Sequence, residues 1–280
     1  MNVEIICPLY NAEKYIIDLD RNIKKQKNVQ IEKISYILTE CKDNTEQLLK
    51  NINANYKKIS RSEFSHSKTR EEAAMKSSSD IIVFITQDIE IREDNWLEEL
   101  IKPIINEEVE ATYSRQVTKY NNIEKYTREF NYPEKSRIQS KDDINELGLK
   151  TFFYSDASSA IKTSIFKKIN GYDAKDLPIN EDMYIAYKLI TNDYKVKYCA
   201  ESIVWHSHRF TLKQIYDRYK LTGEFFKENN YLDKYGTTGS GATLAKYVFK
   251  RILQEHRIQL LIRYPFDMGA RYIGMKVGKK

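Results

Sequence analysis

Residues 80–90 read Asp80-Ile81-Ile82-Val83-Phe84-Ile85-Thr86-Gln87-Asp88-Ile89-Glu90, and the rest of the chain is organised around them. Five consecutive apolar residues, Ile81 to Ile85, stop abruptly at Thr86-Gln87-Asp88, the pattern of a strand buried on both faces. Ligands of open α/β sheets bind just beyond the carboxyl ends of such strands. Asp88 therefore stands where a carboxylate can hold a metal ion or face a phosphate. The plainer reading is a strand end and a helix cap, because Asp is common in turns and at N-caps.

Upstream, Val3 to Cys7 followed by Pro8-Leu9-Tyr10-Asn11 predicts a first strand ended by proline, then a polar turn into an amphipathic helix over about 12–26. Ile34 to Thr39 predicts a second buried strand, followed by Glu40-Cys41-Lys42-Asp43-Asn44-Thr45 and a helix to about Asn53. Ile59-Ser60 fits a short third strand, after which come Phe64-Ser65-His66-Ser67-Lys68-Thr69-Arg70 and a helix over Glu71–Ser77. This β-α-β-α order favours a parallel sheet.

Downstream, a helix is expected over Trp96–Ile105 and a strand over Glu110–Val117, with Arg115 and Gln116 near its end. Residues 118–150 are polar, aromatic and poorly periodic, the character of a structured insertion that binds something. Thr151 to Ile161 reads as a strand bending at Ser155-Asp156, and Ser164 to Ile169 as a short helix closed by Gly171. Asn180-Glu181-Asp182 caps a helix to about Thr191, Lys195–Cys199 and Ile203–Trp205 lead as strands into His206-Ser207-His208, and helices fill the remainder.

Composition narrows the function. Only Gly148 and Gly171 occur before residue 220, so neither a G-x-G-x-x-G turn nor a Walker A loop can be built, and diphosphate charge needs a metal or basic side chains instead. Cys7, Cys41 and Cys199 have neither disulfide nor zinc spacing, which suits a reducing compartment. The amino end lacks the basic and apolar regions of a signal peptide, and no apolar run is long enough to span a bilayer, so the cytoplasm is expected. The net charge of +6 is a property of the tail: residues 241–280 carry a local +7 and the rest is near neutral, which argues against a nucleic-acid partner for the main body.

Pro8-Leu9-Tyr10-Asn11 after a strand, Asp43-Asn44-Thr45 after the second, a strand ending Thr86-Gln87-Asp88, a late Asn180-Glu181-Asp182 helix start and His206-Ser207-His208 together resemble a family 2 glycosyltransferase of GT-A fold. Residues 64–70, Ser114-Arg115-Gln116, 128–133, 180–183 and 204–210 resemble more particularly the bacterial rhamnosyltransferase branch that builds surface polysaccharides. The resemblance spans about residues 2–230. It implies a Rossmann-like, mixed but mostly parallel α/β sheet flanked by helices. A catalytic domain over 1–210 would divide into a nucleotide-sugar half (1–117) and an acceptor half (118–210), with a helical basic extension over 211–280.

By the same resemblance, such an enzyme moves a sugar from a nucleoside diphosphate donor, here dTDP-rhamnose, to a hydroxyl of a growing glycan or lipid-linked acceptor, with inversion. Pro8, Tyr10, Asn11, Glu40 and Asp43 would border the nucleotide, and His66, Arg70, Gln87, Arg115 and Gln116 the donor sugar and diphosphate. Asp88, with His206 or His208, would hold Mg²⁺ or Mn²⁺. Asp182 would be the general base, kept ionised by its helix N-terminus, with Glu181 positioning the acceptor. Tyr126, Arg128 and Tyr132 would meet the acceptor. The chain departs from the family where Thr39-Glu40 replaces a strand-end aspartate and Thr86 replaces the first acid of the metal motif. Two other readings stay open, a UDP-hexose donor and a non-catalytic carbohydrate-binding relative. The tail, with Tyr247, Phe249, Leu260, Leu261, Ile262 and Tyr264 among its positive charges, fits either an interfacial helix at the inner face of an anionic membrane or a helix packed on the catalytic domain.

Overall fold

A computed structural model describes residues 1–236 and 238–280, with the backbone alone for 238–240. In chain order the elements are β1 (Asn2–Leu9), α1 (Ile16–Lys24), β2 (Gln30–Thr39), α2 (Thr45–Asn51), β3 (Tyr56–Ile59), α3 (His66–Lys76) and β4 (Ile81–Ile85). There follow β5 (Ile89–Glu90), α4 (Trp96–Ile105), β6 (Ala111–Val117), α5 (Ile123–Asn131), β7 (Arg137–Gln139), α6 (Ile144–Leu147), β8 (Ser158–Lys162) and α7 (Thr163–Lys168). The chain ends with α8 (Glu181–Thr191), β9 (Val196–His206), α9 (Leu212–Glu228), α10 (Thr238–Gln254) and α11 (Ile258–Gly278).

The strands form one mixed sheet in the order β3-β2-β1-β4-β8-β6-β9-β5, with β7 also pairing β9. Strands β1 to β4 are mutually parallel where they pair. Strand β8 runs antiparallel to both β4 and β6, so β6 and its parallel partner β9 point the same way as β4. The carboxyl ends of β1, β4, β6 and β9 therefore share one edge, and that edge collects Asn11, Asp88, Gln116 and His206. Alternation along each strand feeds two cores. Ile5, Cys7, Val83 and Ile85 pack with α1, α2 and α4, while Ile6, Ile82 and Phe84 pack with α3, α7 and α8.

Several expectations about local structure need correction. Helix α3 starts at His66, not Glu71, because the Ser65 side chain accepts from the Lys68 amide and caps it there. Residues 151–157 are not strand: the segment coils to bury Phe152 and Tyr154, and the chain turns at Asp156, which accepts from Ser159 (2.8 Å) and Tyr172 (2.6 Å). The two late strands are one, β9, carrying a register irregularity opposite Ser114 and Arg115. Ser136 Oγ accepts from the Ala200 amide at this irregularity. Asn180 makes no side-chain cap bond and adopts φ 58°, a left-handed conformation uncommon outside glycine. The insertion at 118–150 folds into α5, β7 and α6.

The tail packs on the body. Helix α11 lies along α9 through a seam of glycines: a Cβ on Gly274 would sit 2.5 Å from Tyr216 O, and one on Gly278 would sit 1.9 Å from Lys220 O. Leu260, Leu261, Tyr264 and Met268 turn inward with Val248 and Ile252 against Ile123 and Tyr126 of α5.

Candidate active site

Asp88, His206 and His208 come together, with one ligand atom of each lying within 4.8 Å of the others. Register brings this about, because Ile89 of β5 pairs directly with His206 of β9. His206 Nε2 stands 3.4 Å and His208 Nδ1 3.9 Å from the Asp88 carboxylate, and the two Nε2 atoms are 2.8 Å apart. Burial raises the Asp88 pKa, but the hydrogen bond from His206 works against it and the carboxyl lies below the usual range. Burial lowers both histidines, His208 to about 3, so each presents the neutral imidazole that ligates metals.

A second layer orients this trio. His206 Nδ1 lies 2.9 Å from Gln116 Oε1, which leaves Nε2 to face Asp88. Gln116 in turn takes a bond from Arg128 and donates to Ser155 Oγ (2.7 Å). Such partners fix the tautomer and angle of a metal-ligating histidine. Gln116 and Arg115 point to opposite faces of β6, so Arg115 leaves this site and pairs with Glu134 (3.1 Å). One carboxylate and two neutral imidazoles suit a divalent ion such as Mn²⁺ and leave coordination positions for substrate oxygens; the two nitrogens favour Mn²⁺ over Mg²⁺.

The end of β1 is tied to the end of β4 by Gln87, whose amide accepts from Tyr10 N (2.7 Å) and donates to Tyr10 O (2.9 Å). That bond pair occupies Gln87. Next to it Tyr10 stays exposed with Arg61 over its ring at 5.1 Å, and Asn11 takes φ 49°. Asp43 spends its carboxylate on Thr45 (2.7 Å) and the Glu13 amide (3.1 Å), so it holds the turn together. Glu40 is exposed beside it, and its carbonyl accepts from Arg61 Nε. Pro8 lies within β1 in register with Ile37.

A buried acid cluster sits at the start of α8. Arg70 is 2% exposed, donates to His66 O (2.8 Å) and pairs with Glu181 (3.3 Å), while its Nε has no partner among the described residues. Starting α3 at His66 is what carries Arg70 inward and leaves His66 exposed. Burial, then the charges of Glu181 and Asp156, push the Asp182 carboxyl well above the usual carboxylate range. At Asp182 desolvation and two neighbouring acids therefore work against the helix N-terminus, and the carboxyl holds its proton more tightly than the expected helix-stabilised carboxylate would. Asp156, 2% exposed, completes this cluster; the sequence marks it as a bend in a strand and gives it no role in the site.

The acceptor residues also need correction. Tyr126 is 1% exposed and donates to Glu255 (2.9 Å), and Tyr132 packs among Phe153 and Tyr198. Stacking on a sugar needs an open ring face, which neither has. Arg128 is buried behind the histidines, bonded to Gln116 and Glu124. The open space on this side is a cavity of about 600 Å³ between α5, α9 and α11, walled by Tyr120, Glu124, Arg209, Phe210, Arg263 and Arg271. It adjoins the trio through Phe210, whose ring stacks on His208 at 4.7 Å.

Residues 4–170 match the family model described as "Glycosyl transferase family 2". The chain is 33% identical over 98% of its length to the O-antigen chain rhamnosyltransferase WbaN of Salmonella anatum, covering 88% of that protein. It is 31% identical over its whole length to RfbN of Salmonella typhimurium, of the same description, covering 90% of it. In structure it resembles the mannosyltransferase PcManGT of Pyrobaculum calidifontis, solved with GDP-Man and Mn²⁺. The TM-score is 0.66 and the identity 14%, over 99% of this chain and 86% of that one, and the architecture is the mixed, mostly parallel α/β sheet of the GT-A fold.

Proposed function

The chain belongs to glycosyl transferase family 2, and on that premise we propose that it transfers rhamnose from dTDP-rhamnose, with inversion, to a hydroxyl of a growing surface polysaccharide or lipid-linked glycan. The observation that carries this reading is the convergence of Asp88, His206 and His208 at the strand edge that also carries Asn11. On this reading residues 1–117 serve the nucleotide sugar, 118–210 the acceptor, and 211–280 form the extension.

Asp88, His206 and His208 would hold Mn²⁺ or Mg²⁺. The bound cation supplies positive charge against the diphosphate as it departs. Tyr10 offers an exposed ring beside Arg61 to the base, and Arg70, buried with its Nε unpartnered among the described residues, holds Glu181 in place. Asp182 takes the proton of the acceptor hydroxyl as its oxygen bonds to the anomeric carbon. The bond from that carbon to the diphosphate oxygen breaks, and its electron pair leaves with the diphosphate. A carboxylate that binds its proton more tightly than usual suits a base that must accept one in the transition state. Glu181, held by Arg70, positions the acceptor side.

A donor panel of dTDP-rhamnose, UDP-glucose, UDP-galactose and GDP-mannose, each with Mn²⁺, Mg²⁺ or chelator, tests this. Turnover of dTDP-rhamnose above the others, lost with chelator, is expected. Preference for a UDP-hexose would replace the donor assignment and leave the fold and family untouched.

A further inference from the structure

Helix α11 inverts the usual amphipathic arrangement. Its polar and small residues Asp267, Gly274 and Gly278 are buried against α9, while Ile258 (71% exposed), Ile262 (72%), Phe266 (60%), Ile273 and Val277 face solvent. These five fall on one stripe at the i, i+3, i+4 spacing, with Gly269 among them. The stripe runs roughly 28 Å along the helix. Phe249 and Leu253 add exposed apolar surface on α10. A contiguous apolar ridge of this kind on a folded domain marks a surface that is covered in use.

We propose that this ridge docks on the face of an anionic phospholipid bilayer. Charge selects that occupant. The last forty residues hold nearly all the net positive charge of the chain, and Lys246, Lys250, Arg257, Arg263 and Lys276, on the two helices and their turn, form no ion pair among the described residues. A second copy of the chain would bring those cations against their like, whereas acidic lipid headgroups neutralise them. Among the described residues no helix is long and apolar enough to cross a membrane, so the ridge lies in the interface rather than through it. Leu260, Leu261 and Tyr264 do not belong to the docking face, since they pack inward.

The test is flotation of the full chain with phosphatidylcholine vesicles, with and without about one-third phosphatidylglycerol. Binding to the anionic vesicles alone is expected, with a drop of roughly tenfold or more in Ile262→Glu/Phe266→Glu, whose unchanged melting temperature and donor turnover would show an intact catalytic body. Lys246→Gln/Lys250→Gln should bind less and show a shallower dependence on salt, since Arg257, Arg263 and Lys276 remain. The proposal is overturned if the wild-type chain stays with the buffer, or if the ridge variant floats as well as wild type. It is also overturned if sedimentation equilibrium finds a dimer that the ridge variant abolishes.

Discussion

His206 Nε2 lies 3.4 Å from Asp88 Oδ1, and the contact is enforced by the pairing of Ile89 with His206 rather than by any loop. A two-residue strand thus locks the tip of β4 to the end of β9. His206 is the last residue of β9, while Asp88 sits in the turn just before β5 and His208 two residues past β9, so the short β5–β9 pairing is what brings the three together.

Asp88→Ala should remove most Mn²⁺ affinity and lower metal-dependent turnover by roughly 10²–10³-fold, with the fold intact, since the side chain is partly exposed. Mn²⁺ titration followed by paramagnetic resonance measures this. Undiminished transfer in that variant would remove the metal assignment.

Gln116→Leu takes away the acceptor that orients His206 and leaves the Arg128 guanidinium with Glu124 as its remaining acidic partner. Affinity for Mn²⁺ should weaken by about 10–100-fold, while nucleotide binding measured without metal stays as it was. Equal loss of both would indicate a general collapse of the pocket instead.

Asp182 carries a pKa raised above its ordinary value, so the fold binds that proton more tightly than the unfolded chain does. The stabilisation is full below the ordinary carboxylate range and is lost as pH rises through the folded-state pKa. Asp182→Asn keeps the neutral form at every pH. It should raise the melting temperature at neutral and alkaline pH but not in acid, while turnover falls roughly 10²–10⁴-fold. Asp156→Asn removes a neighbouring like charge and should move the acid limb of the turnover profile to lower pH. A limb that stays put would detach Asp156 from the base.

Gly274→Val puts branched carbons where Tyr216 O already stands 2.5 Å from a Cβ position. Prying α11 from α9 should cost about 1–3 kcal/mol, visible as early proteolysis within residues 241–280 while the sheet remains resistant. Identical proteolysis of variant and wild type would mean the seam tolerates separation.

The sheet and one of its site residues were legible in the sequence because β4 is continuously apolar and ends on an acid, a signal that needs no partner to interpret. The order of strands supplied the parallel half as well. What escaped depends on contacts between distant segments. Arg70 reads as a loop residue until Ser65 is seen to cap α3, and Asp156 reads as part of a strand until Tyr172 and Ser159 are seen to bond it. Tyr126 and Tyr132 carry a composition that suits sugar stacking, and only the docking of α10 and β9 reveals that their faces are taken. The upward pull on the Asp182 pKa escapes for the same reason, since a helix terminus is local and a cluster of three acids is not.

Arg263 of α11 donates to Phe210 O, and Phe210 stacks on His208, so the outermost helix and the histidine pair are two contacts apart. Ile262 and Phe266 flank that arginine on the outward side. If the helix rests among headgroups, the reaction chamber opens just above them. A hydrophobically anchored sugar chain could then be lengthened where it floats, with no carrier to lift it into the aqueous phase.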